Sequence, residues 1–298
     1  MKSLATANRD EIVFRWAIAN RANSWQASRV TGMRAWAGAG LIFAMACLDA
    51  SAQSPRAPKA LPVAEPARPV AIPAKRLNVT AAGISLDGVA FDSRSHRLAV
   101  ADQAHGPATQ WLDSSEAGSK TSGLAAVNAG FFTPEGAPLG LVVSRGESIG
   151  NWNGASSLGA GLWFEDATGR MMLARRETIG AVAARKMHEL IQAGPMLVDR
   201  RKPVGGLDDE KVSARTVLLW DGGCRWFMAR TSPCTLDDLA DALGIASPVG
   251  WPVHMALNLD GGRSAELWIS DKIPGGPAFI RPLWNKPVRN FLVLHPRR

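Results

Sequence analysis

From residue 77 onward almost every apolar run is short and alternates with a period of two, which a half-buried strand satisfies and an amphipathic helix does not. Such runs are Val89–Asp92, Arg97–Ala101, Ala125–Phe132, Gly140–Ser144, Gly161–Glu165 and Pro195–Val198. They continue as Arg215–Trp220, Arg225–Arg230, Val253–Leu259, Ser264–Ile269 and Asn290–Leu294. The first two flank a Ser/Arg/His turn and read as a hairpin. The pattern predicts a helix from about Ile179 to Ile191, stopped by Gly194-Pro195. A second runs from Thr235, whose hydroxyl caps it, to Gly244, with Asp237 and Asp238 set favourably against its dipole. The expected fold class is α+β: strand-dominated mixed sheets with a few flanking helices, in a single catalytic domain over 76–298.

The first 75 residues follow other rules. Residues 1–52 read as a signal-peptide-like export segment: Arg29 and Arg34 precede the apolar run Ala35–Leu48, and Ala50-Ser51-Ala52 offers small residues for cleavage. Met33 makes a more ordinary first residue for such a leader, and Cys47 is a loose lipoprotein-box alternative. Residues 53–75 are a Pro/Ala-rich linker, too poor in large side chains to bury a core. The formal charge of +8 suggests nucleic acid until it is divided. Residues 1–52 carry +3, 53–76 carry +4 and 77–298 only +1, so the folded part lacks a cationic surface for nucleic acid. No apolar run is long enough to span a membrane stably. The expected location is periplasmic or secreted. Beyond the leader only Cys224 and Cys234 remain. A strand at 225–230 would carry the chain too far for an easy return, which favours free thiols.

Chemistry concentrates where strands end. In Val253–Ile269 (VHMALNLDGGRSAELWI) alternation puts Val253, Met255, Leu257 and Leu259 on one face and His254, Ala256, Asn258 and Asp260 on the other. One face should be core and the other polar, with Asn258 and Asp260 presented just before Gly261 and Gly262. An Asp-Gly pair after a strand is equally an ordinary turn. Ala125–Phe132 places Asn128 and Gly130 on one face ahead of a Thr-Pro-Glu-Gly loop, Asn128 serving either a ligand or the backbone. Arg215-Thr216 opens a strand in which the arginine is either paired with a buried acid or free for an anion. Ser264, Glu266 and Trp268 would share a strand face beside the Asp260 turn, and Trp152 sits in a polar loop where an indole can stack on a sugar. His254 is a proton carrier or, more simply, a hydrogen-bonded structural histidine. No HExxH, HxH, P-loop or GxGxxG spacing occurs. No cofactor is implied, although an oxygen-ligated divalent cation such as calcium near Asp260 stays open.

Asn128-Ala129-Gly130-Phe131-Phe132, Leu139–Glu147, Gly194-Pro195-Met196, Arg215-Thr216 and Asn258-Leu259-Asp260-Gly261-Gly262-Arg263-Ser264, in this order, resemble the phosphodiester glycosidase family. The resemblance spans roughly Leu77–Leu294. Ala129 in place of a first glycine, and Arg263 with Ala265 beside Ser264, depart from the pattern. The resemblance implies an exported hydrolase that cleaves a sugar-1-phosphodiester in a polysaccharide or envelope glycoconjugate. The phosphate leaving group is weakly basic, so an anion clamp matters more than leaving-group protonation. Arg215, joined by Arg263, would hold the phosphate while Gly261 and Gly262 lend backbone N–H groups. Asp260 is the first catalytic carboxylate and Glu266 the second. Asn128, Gly130, Thr216, Asn258, Ser264 and Trp152 would contact the sugar or phosphate. The alternative is a non-catalytic carbohydrate-binding or envelope-assembly protein on the same fold, favoured by Arg263 and Ala265. Mass spectrometry of the mature chain is expected to find an N-terminus just after Ala52. An intact leader would place the protein on a retained anchor instead.

Overall fold

A computed structural model describes residues 72–245 and 247–297. The leader and nearly all of the Pro/Ala stretch lie outside them. The chain begins with strands β1 (Lys75–Ala81), β2 (Ile84–Asp92) and β3 (His96–Asp102), then helix α1 (Ser114–Lys120) and strand β4 (Ala125–Asn128). Next come β5 (Val142–Ser144), β6 (Glu147–Ile149), β7 (Gly161–Glu165), β8 (Met171–Arg175) and helix α2 (Arg176–Ala184). Strands β9 (Glu189–Ala193), β10 (Met196–Asp199), β11 (Lys202–Pro203), β12 (Thr216–Trp220) and β13 (Arg225–Thr231) lead to helix α3 (Leu236–Ile245). The last strands are β14 (Met255–Asn258), β15 (Leu267–Ile269), β16 (Ala278–Ile280) and β17 (Asn290–Pro296).

These strands form three antiparallel sheets: β1-β2-β13-β12-β14-β10-β11, β16-β15-β4-β17-β3 and β6-β5-β9-β7-β8. Their inner faces meet in one core that joins Phe91, Trp226, Leu218 and Leu257 of the first sheet to Leu98, Val127 and Leu292 of the second and Trp163 and Ile191 of the third. Each outer face is closed by one helix. Leu236, Leu239 and Leu243 of α3 cover the first sheet, Ala117 of α1 the second and Ala184 of α2 the third. Buried on both sides, the central strands gain hydrophobic stabilisation from every residue rather than every second one.

That sandwiching explains where the sequence pattern misleads. The outer face of β14 is not polar: Ala256 packs against the α3 cluster while Met255 and Leu257 face the common core. The helix expected to reach Ile191 stops at Ala184, and Glu189–Ala193 is the central strand of the third sheet. Its polar members disguised it: buried Glu189 accepts from the Val100 and Arg145 N–H groups, and buried Gln192 from Leu141 and Asn153. The 89–101 hairpin is also overturned, since β2 and β3 are consecutive but lie in different sheets. Helix α3 does start as its sequence indicates, with the Thr235 hydroxyl accepting the Asp238 N–H at 3.1 Å. Cys224 and Cys234 are free thiols.

Gly88 shows how tightly β2 and β13 are laid together. A Cβ there would run into the Met228 carbonyl oxygen and come to 2.6 Å from Ala229 Cβ. Gly88→Ala is expected to cost about 2–3 kcal/mol in a denaturant melt, because the obstacle is backbone that cannot step aside.

Candidate active site

The first and second sheets are stitched together where β14 ends. Leu259 N–H donates to the Thr216 carbonyl at 2.8 Å, still within the first sheet, and Asp260 N–H donates to the Ala129 carbonyl of the second at 2.9 Å. Asn128 closes the seam from below. Its Nδ2 donates to the Asp260 carbonyl at 2.7 Å, and its Oδ1 accepts from Thr216 Oγ1 at 2.6 Å and from the Glu266 N–H at 3.1 Å. Asn128 and Thr216 are fully buried. They therefore position the Asp260–Glu266 segment rather than touch a ligand, which corrects the expectation that both contact substrate.

The glycines serve the turn as well. Gly262 has a left-handed backbone (φ +63°). A Cβ on Gly261 would sit 3.0 Å from the Ala214 carbonyl oxygen and 3.4 Å from Arg215 Cδ. The Gly261 N–H donates to Asp260 Oδ1 at 2.8 Å, and the Gly262 N–H to the Ala214 carbonyl at 2.7 Å. Neither N–H is left for a phosphate, contrary to expectation. Their function is close approach, which brings the turn down onto Arg215.

Arg215 is 7% exposed. Its Nη2 donates to the Lys211 carbonyl at 2.6 Å and its Nε to that of Cys234 at 3.4 Å. It makes no ion pair among the described residues, with Asp260 or any other acid. Burial pulls its pKa below the usual arginine value, partly offset by Cys234 and Asp208. A guanidinium held by two neutral carbonyls keeps its charge for a guest.

Asp260 is only partly exposed, and burial raises its pKa to about 6 against the Ser264 hydroxyl, the Gly261 N–H and Lys211, which favour the ionised form. Glu266 is fully buried, and burial carries it to about 7. The two acids diverge. Glu266 faces Asp113, Arg281 and Ser114, accepts a long 3.4 Å bond from Asn285 Nδ2, and keeps Oε1 without a partner. The shared face expected for Ser264, Glu266 and Trp268 is not formed. Ser264 closes a 3₁₀ turn (Gly262–Ser264) towards Asp260, and Trp268 packs over Gly118 of α1.

Other expected contacts are scattered. Asn258 Nδ2 donates to the Gly194 carbonyl at 2.9 Å while its buried Oδ1 lacks a partner. The Gly130 N–H donates to Asn290 Oδ1 at 2.7 Å. Arg263 turns outward, its Nε donating to the Trp284 carbonyl at 2.9 Å. Trp152 is half-buried and packs against the Leu141, Leu162 and Phe164 cluster of the third sheet. Among the described residues no three His, Cys, Asp or Glu side chains gather as a metal site. Sequence reading passed over Asn290, a buried amide heading an apolar strand, and Lys211, which lies in a polar loop with no period to mark it.

Burial of Glu266 has a consequence for stability. Below its ordinary value of 4.5 the group is protonated folded and unfolded alike and contributes no pH dependence. As pH rises the unfolded carboxyl ionises first, while the folded one holds its proton to about 7. Stability therefore falls across that interval and stays lower above it. Glu266→Gln is expected to match wild type at pH 4 and to exceed it by about 2–3 kcal/mol at pH 8 in denaturant titrations.

The phosphodiester glycosidase family model matches residues 122–295, which include the whole constellation from Asn128 to Glu266. No match is found among curated protein sequences. Among solved structures the chain is similar to the catalytic domain of zebrafish N-acetylglucosamine-1-phosphodiester alpha-N-acetylglucosaminidase, auto-inhibited by its pro-peptide. That likeness has a TM-score of 0.52 at 18% identity and covers 78% of this chain and 86% of that one. A hypothetical protein from Synechocystis is similar with a TM-score of 0.51 at 17% identity, over 74% of this chain and 61% of the other. At these identities the structures share the fold alone. The family match extends over more than half of the sequence, and this chain belongs to the phosphodiester glycosidase family.

Proposed function

We propose that the protein is an exported hydrolase that cleaves the bond between an anomeric carbon and phosphate in a polysaccharide or envelope glycoconjugate. The observation that carries this reading is the pairing, across a glycine turn, of a half-buried Asp260 with a pKa of about 6 and an Arg215 that no acid neutralises. The guanidinium offers the phosphate a bidentate contact in a place already cleared of water. The leaving phosphate carries the bonding electrons away without needing a strong acid. Asp260 is mostly ionised at neutral pH, able to stabilise positive charge at the anomeric carbon or to take the proton of an attacking water as its oxygen bonds there. Glu266, buried and turned elsewhere, has a structural part in this scheme. Export rests on the leader, and no helix among the described residues is long and apolar enough to cross a membrane.

Release of the free reducing sugar from a sugar-1-phosphodiester, with the phosphomonoester of the aglycone as the other product, tests the reading. Asp260→Asn is expected to lower kcat/KM by about 10²–10⁴-fold with the melting temperature kept. In the wild type kcat/KM should rise with pH through about 6 and then level, as Asp260 loses its proton. Arg215→Lys should raise KM for the phosphodiester, since an ammonium does not reproduce the fork. Binding of the sugar phosphate without turnover by the unmutated chain would leave the non-catalytic carbohydrate-binding reading in its place.

A further inference from the structure

Between β16, the edge strand of the second sheet, and β17 lies the loop 281–287, RPLWNKP. Leu283 is 97% exposed and Trp284 80%. Adjacent large apolar side chains held this far into water lose the burial that their size normally earns, and a pair standing together marks a contact surface more than a lone exposed leucine does. Pro282 and Pro287 restrict the backbone on either side.

The base of this tip is cationic. Arg263 Nε donates to the Trp284 carbonyl at 2.9 Å, and the Lys286 N–H donates to the Arg263 carbonyl at 3.3 Å. Both side chains are exposed, and neither makes an ion pair among the described residues. Arg281 differs, being bound to Asp113 at 2.9 Å and lying over the Phe279 ring. Asn285 points inward to Glu266, tying the loop to the buried polar cluster. A groove of about 560 Å³ lies between Arg263 and Pro282, Leu283 and Trp284.

An apolar tip with an indole beside it and unneutralised cations at its foot matches the boundary between headgroups and acyl chains. There leucine and tryptophan enter the apolar side while arginine and lysine meet phosphates. A carbohydrate platform would use the indole face but leave Leu283 without a partner. We infer that loop 281–287 docks the protein onto an anionic lipid surface, with Leu283 and Trp284 inserted and Arg263 and Lys286 on headgroup phosphates. Arg263 follows Asp260 by three positions, so docking sets the Asp260 turn at headgroup level. The corresponding substrate class is a membrane-held glycolipid with a sugar-1-phosphodiester. That assignment rests on the function proposed above; the docking itself does not.

The test reads lipid contact without turnover. Full-length protein is mixed with vesicles of phosphatidylglycerol and phosphatidylcholine carrying brominated acyl chains, which quench indoles that reach them. The emission difference between wild type and Trp284→Phe isolates this one tryptophan from the others and from any contribution of the leader. The expected result is quenching of that difference signal on anionic vesicles and its absence on phosphatidylcholine alone. Leu283→Ser should weaken the vesicle partition that the signal reports by about tenfold. Reversing both charges, Arg263→Glu with Lys286→Glu, should weaken it at least as much. All four positions are exposed, and an unchanged melting temperature confirms that each variant is folded. A difference signal that no vesicle quenches, or that phosphatidylcholine quenches equally, overturns the inference. A signal untouched by lipid but shifted by a soluble sugar-1-phosphodiester overturns it in favour of a carbohydrate platform.

Discussion

The side-chain amide of Asn128 is the joint on which the candidate site hangs. One carboxamide, sealed from water, donates its N–H to the Asp260 carbonyl and accepts hydrogen bonds from the Thr216 hydroxyl and the Glu266 N–H. Each bond is worth only about 1 kcal/mol net, but a buried group stripped of its partner costs about 1–3 kcal/mol. The three bonds thus act together as a requirement. β12 and β14 of the first sheet and β4 of the second have to meet at one geometry, and the chain between β14 and β15 has to cross from one sheet to the other over that point. Aspartate in its place would have no donor for the Asp260 carbonyl, and leucine would leave all three groups unpaired.

The crossing also sets the electrostatics. Five residues separate Asp260 from Glu266, and the 3₁₀ turn between them sends the two carboxyl groups into different surroundings. Asp260 keeps a hydroxyl, an N–H and a distant lysine to support its charge, together with some contact with solvent. Glu266 loses solvent entirely and has an acid, Asp113, among its neighbours. Burial raises both, but only the first is placed to exchange a proton with a molecule arriving from outside. Arg215 sits at the other edge of the turn, more deeply buried than Asp260 and without an ion pair among the described residues. A buried arginine held only by neutral carbonyls represents stability given up, since an acid in contact with it would offset its desolvation.

Much of this was legible in the residues. Alternating runs marked most strands, Thr235 marked the start of α3, and Asn258–Ser264 marked the segment that crosses from the first sheet to the second. The failures have two causes. Period-two reasoning assumes that a strand has a wet face, and here each sheet has a helix on its outer side. Glu189 therefore passed for a helix-surface residue although it is buried in a central strand. Gly262 read as a donor to an anion because its partner, the Ala214 carbonyl, lies almost fifty residues earlier in the chain, while the Gly261 N–H is taken by the neighbouring Asp260 carboxylate. Asn128 looked like a ligand contact for the same reason, since none of its three partners is local in sequence. The half-burial of Trp152 was hidden likewise, because its own loop is polar whereas the apolar surface it covers comes from β5, β7 and β9.

The departure at Arg263 follows from the same crossing. In the 3₁₀ turn Gly262 and Ser264 are committed, one to the Ala214 carbonyl and the other to Asp260, so position 263 alone can face outward. An arginine there costs the turn nothing, and its Nε reaches the backbone of a loop twenty-one residues further on. That loop returns the link through Asn285 to Glu266. The exposed tip at Leu283 and Trp284 is thereby fastened at two points to the segment that carries Asp260. A small residue at 263 would remove one fastening without disturbing Asn128, Arg215 or Asp260. The change therefore bears on what the protein is brought up against and leaves intact the groups proposed to act on a glycosidic phosphate.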